Sequence, residues 1–424
     1  MKINKYSFSR FMYILEAAFE YFISILVSGA YLAKLTTELG ISDSVTGILS
    51  ALTSIGCSFQ ILAIFFLNNR KIKTPVTILH TVNQLCFTCI YVVPFFEIPK
   101  TVKIAVFIVL LLSGHIINNV VQSPKINWFM SLIDNNKRGR FTANKEIISL
   151  LGGMLFSFVM GNVIDKYEAE GNVTGAFTVC GITIFVLSVL HFLTLILSIE
   201  KEPQIKENMP IKVMLKGLIT DSSFIKIILV SVLWAVASHI STPFYGTYQI
   251  KELGFSMTFV SILSAVYAVC RSIFSRPLGR YADKYTFTKM LNICFTVAAL
   301  SFSVNIFTVP ASGKITYTVY YILHAIAMAG INSGGINLIY ERVNVNMRVC
   351  ALALKNTLAG IAGFLTTLVM SRFVEYIQAS GNKIFGFNVY AQQVVSAFSA
   401  VVVILLIVYL NTVVRNIPIK SEDT

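Results

Sequence analysis

Charge is scarce in this 424-residue chain: Asp, Glu, Lys and Arg together supply 13% of it, about half the share that coats a soluble domain. That shortage argues against an ordinary water-soluble enzyme. Proline is sparse as well, at 10 residues, which argues against a proline-rich disordered or collagen-like polymer. The seven cysteines (Cys57, Cys86, Cys89, Cys180, Cys270, Cys294, Cys350) nearly all fall inside apolar runs and read as buried thiols. Cys86 and Cys89 have metal-ligand spacing, but no second Cys or His pair stands near them in sequence. No metal and no cofactor is expected. The chain also lacks a GxxxxGK[ST] run, which speaks against ATP-driven transport by this chain alone.

What is abundant is apolar. Hydrophobic residues make up 55% of the chain, with 32 Phe and 18 Tyr, and the mean hydropathy is +0.73. A helix crossing the hydrocarbon layer of ~30 Å needs ~20 mostly apolar residues. Such segments occur near 11–33, 43–67, 75–96, 104–133, 147–166, 173–199, 223–248, 256–278, 290–310, 315–340, 349–374 and 391–414. The reading is an all-α membrane protein with twelve transmembrane helices. Lys2, Lys5 and Arg10 precede the first span as in a signal peptide, but Glu16 and Glu20 interrupt its apolar run and no small-residue cleavage site follows. It reads as a retained first helix.

Positive charge sets the orientation. The formal net charge is +14, a value that in a soluble protein would suggest nucleic acid. With the N-terminus inside, 23 Lys and Arg fall in cytoplasmic segments and eight in the opposite loops. The bias places both termini in the cytoplasm, so no nucleic-acid partner is required. The longest break, after span six, is charged and carries Pro203 and Pro210. It divides the chain into a six-helix bundle at 1–199, a central cytoplasmic linker at 200–222, a second six-helix bundle at 223–414 and a tail at 415–424.

The two halves are related in sequence. Residues 38–51 read ELGISDSVTGILSA and residues 252–265 read ELGFSMTFVSILSA, identical at eight of fourteen positions. At nearly the same offset Asn69-Arg70 stands against Asp283-Lys284, and Arg138, Ala143, Lys145 and Gly153 stand against Arg348, Ala353, Lys355 and Gly363. A six-plus-six duplication is an architecture in which two bundles rock about a midplane site. The segment Gly279-Arg280-Tyr281-Ala282-Asp283-Lys284 resembles the G-x-x-x-D-[RK]-x-G-[RK]-[RK] loop motif of the major facilitator superfamily. It departs from that motif at Thr286, Phe287 and Thr288. The N-half copy is weaker, with Phe65 and Asn69 replacing the Gly and Asp and only Arg70 kept. Lys137-Arg138-Gly139-Arg140-Phe141 resembles an RGR-type loop of bacterial branches of that superfamily, and Thr242-Pro243-Phe244-Tyr245 is similar to its seventh span. Span 5 has Gly152, Gly153 and Gly161 but no Gly-Pro pair of the drug/proton antiporter kind.

The resemblance implies a secondary transporter, not an enzyme, working as a monomer in the plasma membrane, with spans 1, 4, 7 and 10 lining a central cavity. It also gives Gly279, Arg280, Asp283, Lys284, Asn69, Arg70, Arg138 and Arg140 a gating role. In that role glycine would allow close helix approach and Asp283 would cap the following helix.

Polar residues within apolar spans agree with that lining. Ionisable groups at such depth are costly and face a cavity or a partner. Glu16 and Glu20 stand one turn apart in span 1; span 4 carries His115, Asn118, Asn119, Gln122 and Lys125; span 7 offers His239, Thr242, Tyr245 and Gln249 about Pro243; span 10 offers His324, Asn332 and Asn337 about Gly334-Gly335. Glu20, His115, Asn118, Asn119, Gln122, His239, Tyr245, His324 and Asn332 are therefore the solute-binding candidates. Glu20, assisted by Glu16, is the candidate proton carrier, and Glu20 is equally suited to pairing with a cationic solute. For Lys125 and Arg271, snorkelling to the interface and pairing with Glu16 both stand. His80 and His191 read as structural.

The expected activity is secondary active transport of a small organic solute by alternating access, coupled to protons. A non-transporting sensor of the same fold and a membrane transferase are the alternatives.

Overall fold

The computed structural model describes residues 6–66, 71–133, 138–201, 211–343, 347–384 and 387–417. Its helices are α1 (Ser7–Leu26), α2 (Gly29–Glu38), α3 (Asp43–Ser58), α4 (Lys73–Ile90), α5 (Lys100–Ser131), α6 (Arg138–Ala169), α7 (Val173–Leu197), α8 (Ile211–Thr220), α9 (Ser222–His239), α10 (Tyr245–Thr247), α11 (Met257–Lys284), α12 (Phe287–Ile306), α13 (Gly313–Tyr340), α14 (Arg348–Ala379) and α15 (Ala391–Thr412). The strands among the described residues are the two-residue pair Lys383–Ile384 and Phe387–Asn388.

Among the described residues, ten helical runs are long and apolar enough to cross a membrane. The other two expected spans are helical but fall short for visible reasons. Residues 43–67 form α3, only 16 residues long, and then tighten into a 3₁₀ stretch at Phe59–Phe66. In the 75–96 region, α4 dilutes its 18 residues with Lys73, His80, Asn83 and Gln84. Span 1 breaks between α1 and α2 at Ser28 and Gly29, where Gly29 takes a φ of +54° that only glycine adopts freely. Span 7 breaks at Pro243: α9 ends at His239, and a 3₁₀ turn, α10 and a π-helical turn (Tyr248–Glu252) complete it. Proline removes a helical hydrogen bond and its ring crowds the carbonyl one turn back, which breaks the helix here, although Pro124 in α5 and Pro277 in α11 are accommodated within helices.

Several local expectations are corrected. Asp283 does not cap the helix after it. It lies exposed in the last turn of α11, and α12 is capped by Thr286, whose hydroxyl accepts the Lys289 N–H at 3.2 Å. Thr286 has extended backbone, as an N-cap requires; Asp283 is still helical. Gly279 makes no close approach, since a Cβ there would meet nothing within 4 Å. Arg138 and Arg140 belong to the first turn of α6 and not to a loop. Asn69 and Arg70 lie outside the described residues. Part of the expected linker is helix α8, anchored by buried Leu218.

Contacts divide the chain into two compact units. Unit 1 is Met1–Ser42, Ile55–Glu207 and Ser256–Ser261; unit 2 is Asp43–Ser54, Asn208–Phe255 and Ile262–Thr424. The starts of α3 and α11 thus belong with unit 2 and unit 1 respectively, and both fall within the repeated ELG segments. A carboxylate secures each start. In unit 1, Asp165 accepts the backbone N–H groups of Met257 at 2.7 Å and Thr258 at 2.8 Å, while Ser261 and Tyr31 both donate to the Ser157 carbonyl. In unit 2, Asp43 pairs with Lys251 and accepts the Gln378 amide at 2.8 Å. The Asp165 cap is charge-assisted, so Asp165→Asn should cost about 1–2 kcal/mol. The check is a lower apparent unfolding temperature in detergent, with hydrogen exchange accelerating first at Met257 and Thr258.

Candidate functional site

Unit 1 encloses a cluster of five ionisable side chains drawn from four helices. Glu16 and Glu20 sit one turn apart on the same face of α1. Lys125 comes from α5, His80 from α4 and His191 from α7. The Lys125 ammonium donates to Glu16 Oε1 at 2.7 Å, to Glu20 Oε2 at 2.6 Å and to His80 Nε2 at 2.9 Å. All three of its protons are thereby used. His191 Nε2 stands 3.0 Å from Glu16 Oε1. Glu16, His80 and His191 are fully buried and Lys125 is 1% exposed; Glu20 alone reaches solvent, at 15% of its side chain.

The hydrogen bonds assign the His80 tautomer. His80 Nε2 accepts from an ammonium, so its proton is on Nδ1; His191 Nε2 donates to a carboxylate, which a neutral and a protonated ring both allow. Neither Nδ1 has a hydrogen-bond partner, nor does Glu16 Oε2. With both imidazoles neutral, two carboxylates and one ammonium leave a net charge of −1 out of water. Uncompensated charge in such a place costs several kcal/mol. In that protonation state the cluster is one proton short of neutrality, and Glu20 is its solvent-reaching member.

Glu16, Glu20, His80 and His191 also offer ligand atoms that lie within 4.8 Å of one another. That is slightly wider than the ~4 Å maximum separation of two ligands each ~2.1 Å from Zn²⁺. The Lys125 ammonium bonds three of these four residues, so the chain supplies its own cation there. Zn²⁺ is accordingly expected to leave the unfolding temperature of the wild-type protein unchanged. It should stabilise Lys125→Ala by about 2.7 kcal/mol at a hundredfold excess over its Kd, a difference that a thermal-shift titration reads.

Unit 2 carries an aromatic cluster instead. Tyr317, Tyr320, Tyr321 and His324 on α13 meet Tyr245, Tyr267 of α11, Phe302 of α12 and Trp234 of α9 with ring centroids 5.2–6.4 Å apart. Gln249 donates its amide to the hydroxyls of Tyr317 at 3.1 Å and Tyr321 at 3.0 Å. Its Oε1 and His324 Nδ1 are buried without a hydrogen-bond partner. The arrangement offers ring faces for stacking and a few directed polar atoms.

The expected residues separate accordingly. Glu16 and Glu20 join the unit 1 cluster. His115 does not: its ring packs on Phe87, 5.2 Å between centroids, and its backbone fills the space beside Gly56. Asn119 donates to the His115 carbonyl within its own helix, whereas Asn118 Oδ1 and Gln122 Oε1 are buried without a partner. His239 bonds Ser54 and, through Nδ1, the Ala235 carbonyl one turn back. Tyr245 bonds Ser396 at 2.7 Å and is 5% exposed. His324 lies in the aromatic cluster, and Asn332 is exposed. Charge balance was the signal for the partners read as structural: two carboxylates at mid-span call for cationic or donor partners, and Lys125, His80 and His191 supply them.

The sequence profile of the Major Facilitator Superfamily matches residues 13–367. No curated protein matches the chain by sequence. Among solved structures, the nucleoside transporter NupG is similar at a TM-score of 0.68 and 14% identity, covering 97% of this chain and 100% of that one. An auto-inhibited peptide transporter of the POT family gives 0.72 and 11%, covering 98% of each. A D-xylose–proton symporter gives 0.68 and 15%, covering 94% and 97%.

Proposed function

The chain belongs to the Major Facilitator Superfamily, and from that premise we propose a secondary active transporter that moves a small polar organic solute by alternating access, coupled to protons through Glu20. The observation that carries the coupling is the buried cluster in which one ammonium serves two carboxylates, which we read as net-negative with both imidazoles neutral. A proton arriving at Glu20 makes the cluster neutral and frees Lys125 from one of its two counter-charges. Glu16 and His80 then hold it alone. Neutrality lowers the cost of carrying the cluster through a conformational change, and departure of the proton restores both ion pairs. Glu16, buried and hydrogen-bonded also by His191, keeps Lys125 in place throughout.

Solute recognition falls to the aromatic cluster of unit 2 with Gln249 and His324; Asn118 and Gln122, with buried unbonded amide oxygens among the described residues, are separate candidates within unit 1. Stacking faces with a few amide and imidazole groups suit a ring-bearing solute, which is the chemistry of the nucleoside and xylose carried by two of the structural neighbours. His115, Asn119, His239, Tyr245 and Asn332 remain secondary candidates, since their contacts are chiefly within or between helices of one unit. The Gly279–Lys284 segment is retained as a gating element through its charges alone. The protein acts as a monomer in the plasma membrane in this reading.

The test is solute-driven proton movement. Purified protein in liposomes, given an inward solute gradient from a ring-bearing panel, should acidify or alkalinise the lumen measurably in wild type and not in Glu20→Gln. Binding without flux for every solute would instead identify a sensor.

A further inference from the structure

Charge inside the spans of unit 2 is distributed unlike that of unit 1. Glu252, Asp283 and Glu375 are the carboxylates of its spans, and each lies within one turn or so of a span end. Four cations lie deeper; Arg276 and Arg372 are exposed, and the other two are not. Arg271 is at the middle of Met257–Lys284, and half-buried Lys355 is seven residues into α14, roughly 10 Å along the helix axis. Neither has a hydrogen-bond or ion-pair partner among the described residues. Lys125 in unit 1, by contrast, is met by two carboxylates. An intramembrane cation marks a substrate or ion pathway more often than a structural need, because its position is costly unless an anion meets it.

Lys355 stands against the helix that carries the aromatic cluster, and Arg271 is one turn along α11 from Tyr267, a ring of that cluster. Tyr267 lies 6.0 Å from the Tyr321 ring and 6.1 Å from the His324 ring, and Arg271 is the next residue along that face of α11. Lys355 Nζ comes within 3.5 Å of where a Cβ on Gly335 of α13 would stand. Exposed Asn332 lies one turn before Gly335 on α13. The rings and then Lys355 thus follow one another along α13, with Arg271 one turn beyond Tyr267 on α11.

Building on the transporter reading above, we infer that the solute carries a negative charge, a carboxylate or phosphate group, recognised by Arg271 beside the aromatic cluster and by Lys355 further along α13. Guanidinium matches the planar oxyanion and the ammonium acts as a second, point-charge station. A monoanion carried with one proton crosses without net charge. Snorkelling of both side chains to the interface is the competing account, and it predicts no effect of either cation on solute binding.

The experiment uses the full-length protein with three matched pairs of probes: uridine and uridine 5′-monophosphate, D-xylose and D-xylonate, benzyl alcohol and benzoate. Affinities are read by thermal shift in detergent and by labelled uptake in liposomes. At least one anionic member should bind about tenfold or more tightly than its neutral partner, the scale of one charge-assisted hydrogen bond. Arg271→Gln and Lys355→Gln should each erase that preference, lowering the anion's affinity far more than the neutral partner's. Arg271→Lys and Lys355→Arg should recover most of it. The unliganded unfolding temperature of the Gln variants should be equal to or above wild type, because no internal ion pair is lost. Carrier-dependent uptake of D-xylonate, a monoanion, should follow a pH gradient and ignore an imposed membrane potential, whereas uridine 5′-monophosphate, at about −1.5 to −2 charges, should still respond to the potential.

The inference is overturned if no anionic member binds, if neutral partners bind equally well, or if both Gln variants keep the anion's affinity. Uphill, Glu20-dependent uptake of a neutral member alone would overturn it while leaving the proton-coupled transporter standing. Absence of proton-driven uptake for every member of every pair would remove that earlier reading itself.

Discussion

Lys125→Met should destabilise the folded protein by about 3–5 kcal/mol, the cost of stranding buried carboxylates without their cation. Glu16 is fully buried and takes two of the cluster's hydrogen bonds on Oε1; without Lys125 only His191 and a 3.9 Å approach of His80 remain to it. The expected result is poor recovery from the membrane and a markedly lower apparent unfolding temperature. The triple variant Lys125→Met, Glu16→Gln, Glu20→Gln should regain most of that loss, since removing an entire buried charge set is far less harmful than removing one member. A double-mutant cycle between Lys125 and Glu16 should give a coupling energy of a few kcal/mol. If Lys125→Met unfolds no earlier than wild type, Lys125 is not the counter-ion of this cluster.

Glu20→Gln should abolish accumulation against a gradient while sparing solute exchange. The side chain keeps its shape and its hydrogen bond to Lys125, so folding is preserved, and the cluster becomes permanently neutral. A carrier that cannot gain or lose the proton still equilibrates its solute but cannot be driven by a pH gradient. Glu16→Gln should behave differently: it removes the charge that holds Lys125 in place, with lower stability as its main effect and pH-driven uptake partly retained. Uphill transport by Glu20→Gln at the wild-type level would take Glu20 out of the coupling step.

Much of the fold is legible in the sequence because lipid imposes long apolar runs. The break of span 7 follows from Pro243, and the pairing of Glu16 with Glu20 follows from helical spacing. Spans 2 and 3 are harder, since α3 yields to a 3₁₀ stretch and α4 buries polar side chains that lower its apolarity. His80 and His191 escape notice because a histidine on an apolar helix has the same local pattern whether it packs or serves a carboxylate. Only the bundle brings them from 64 and 175 residues away to Glu16. Asp283 shows the converse: its motif suggests a cap, but Thr286 is where the backbone becomes extended and can accept the N–H. The tyrosine cluster of unit 2 comes from three separate stretches, at 245–249, 267 and 317–321, whose convergence no local pattern announces.

The central claim is that the cluster takes up one proton and that Glu20 is where it lands. Infrared difference spectroscopy on the protein in lipid, titrated from alkaline to acidic pH, observes the carbonyl stretch of a newly protonated carboxyl directly. The account predicts such a band in wild type, its loss in Glu20→Gln, and its persistence with a shifted midpoint in Glu16→Gln. A band that survives Glu20→Gln unchanged would contradict it.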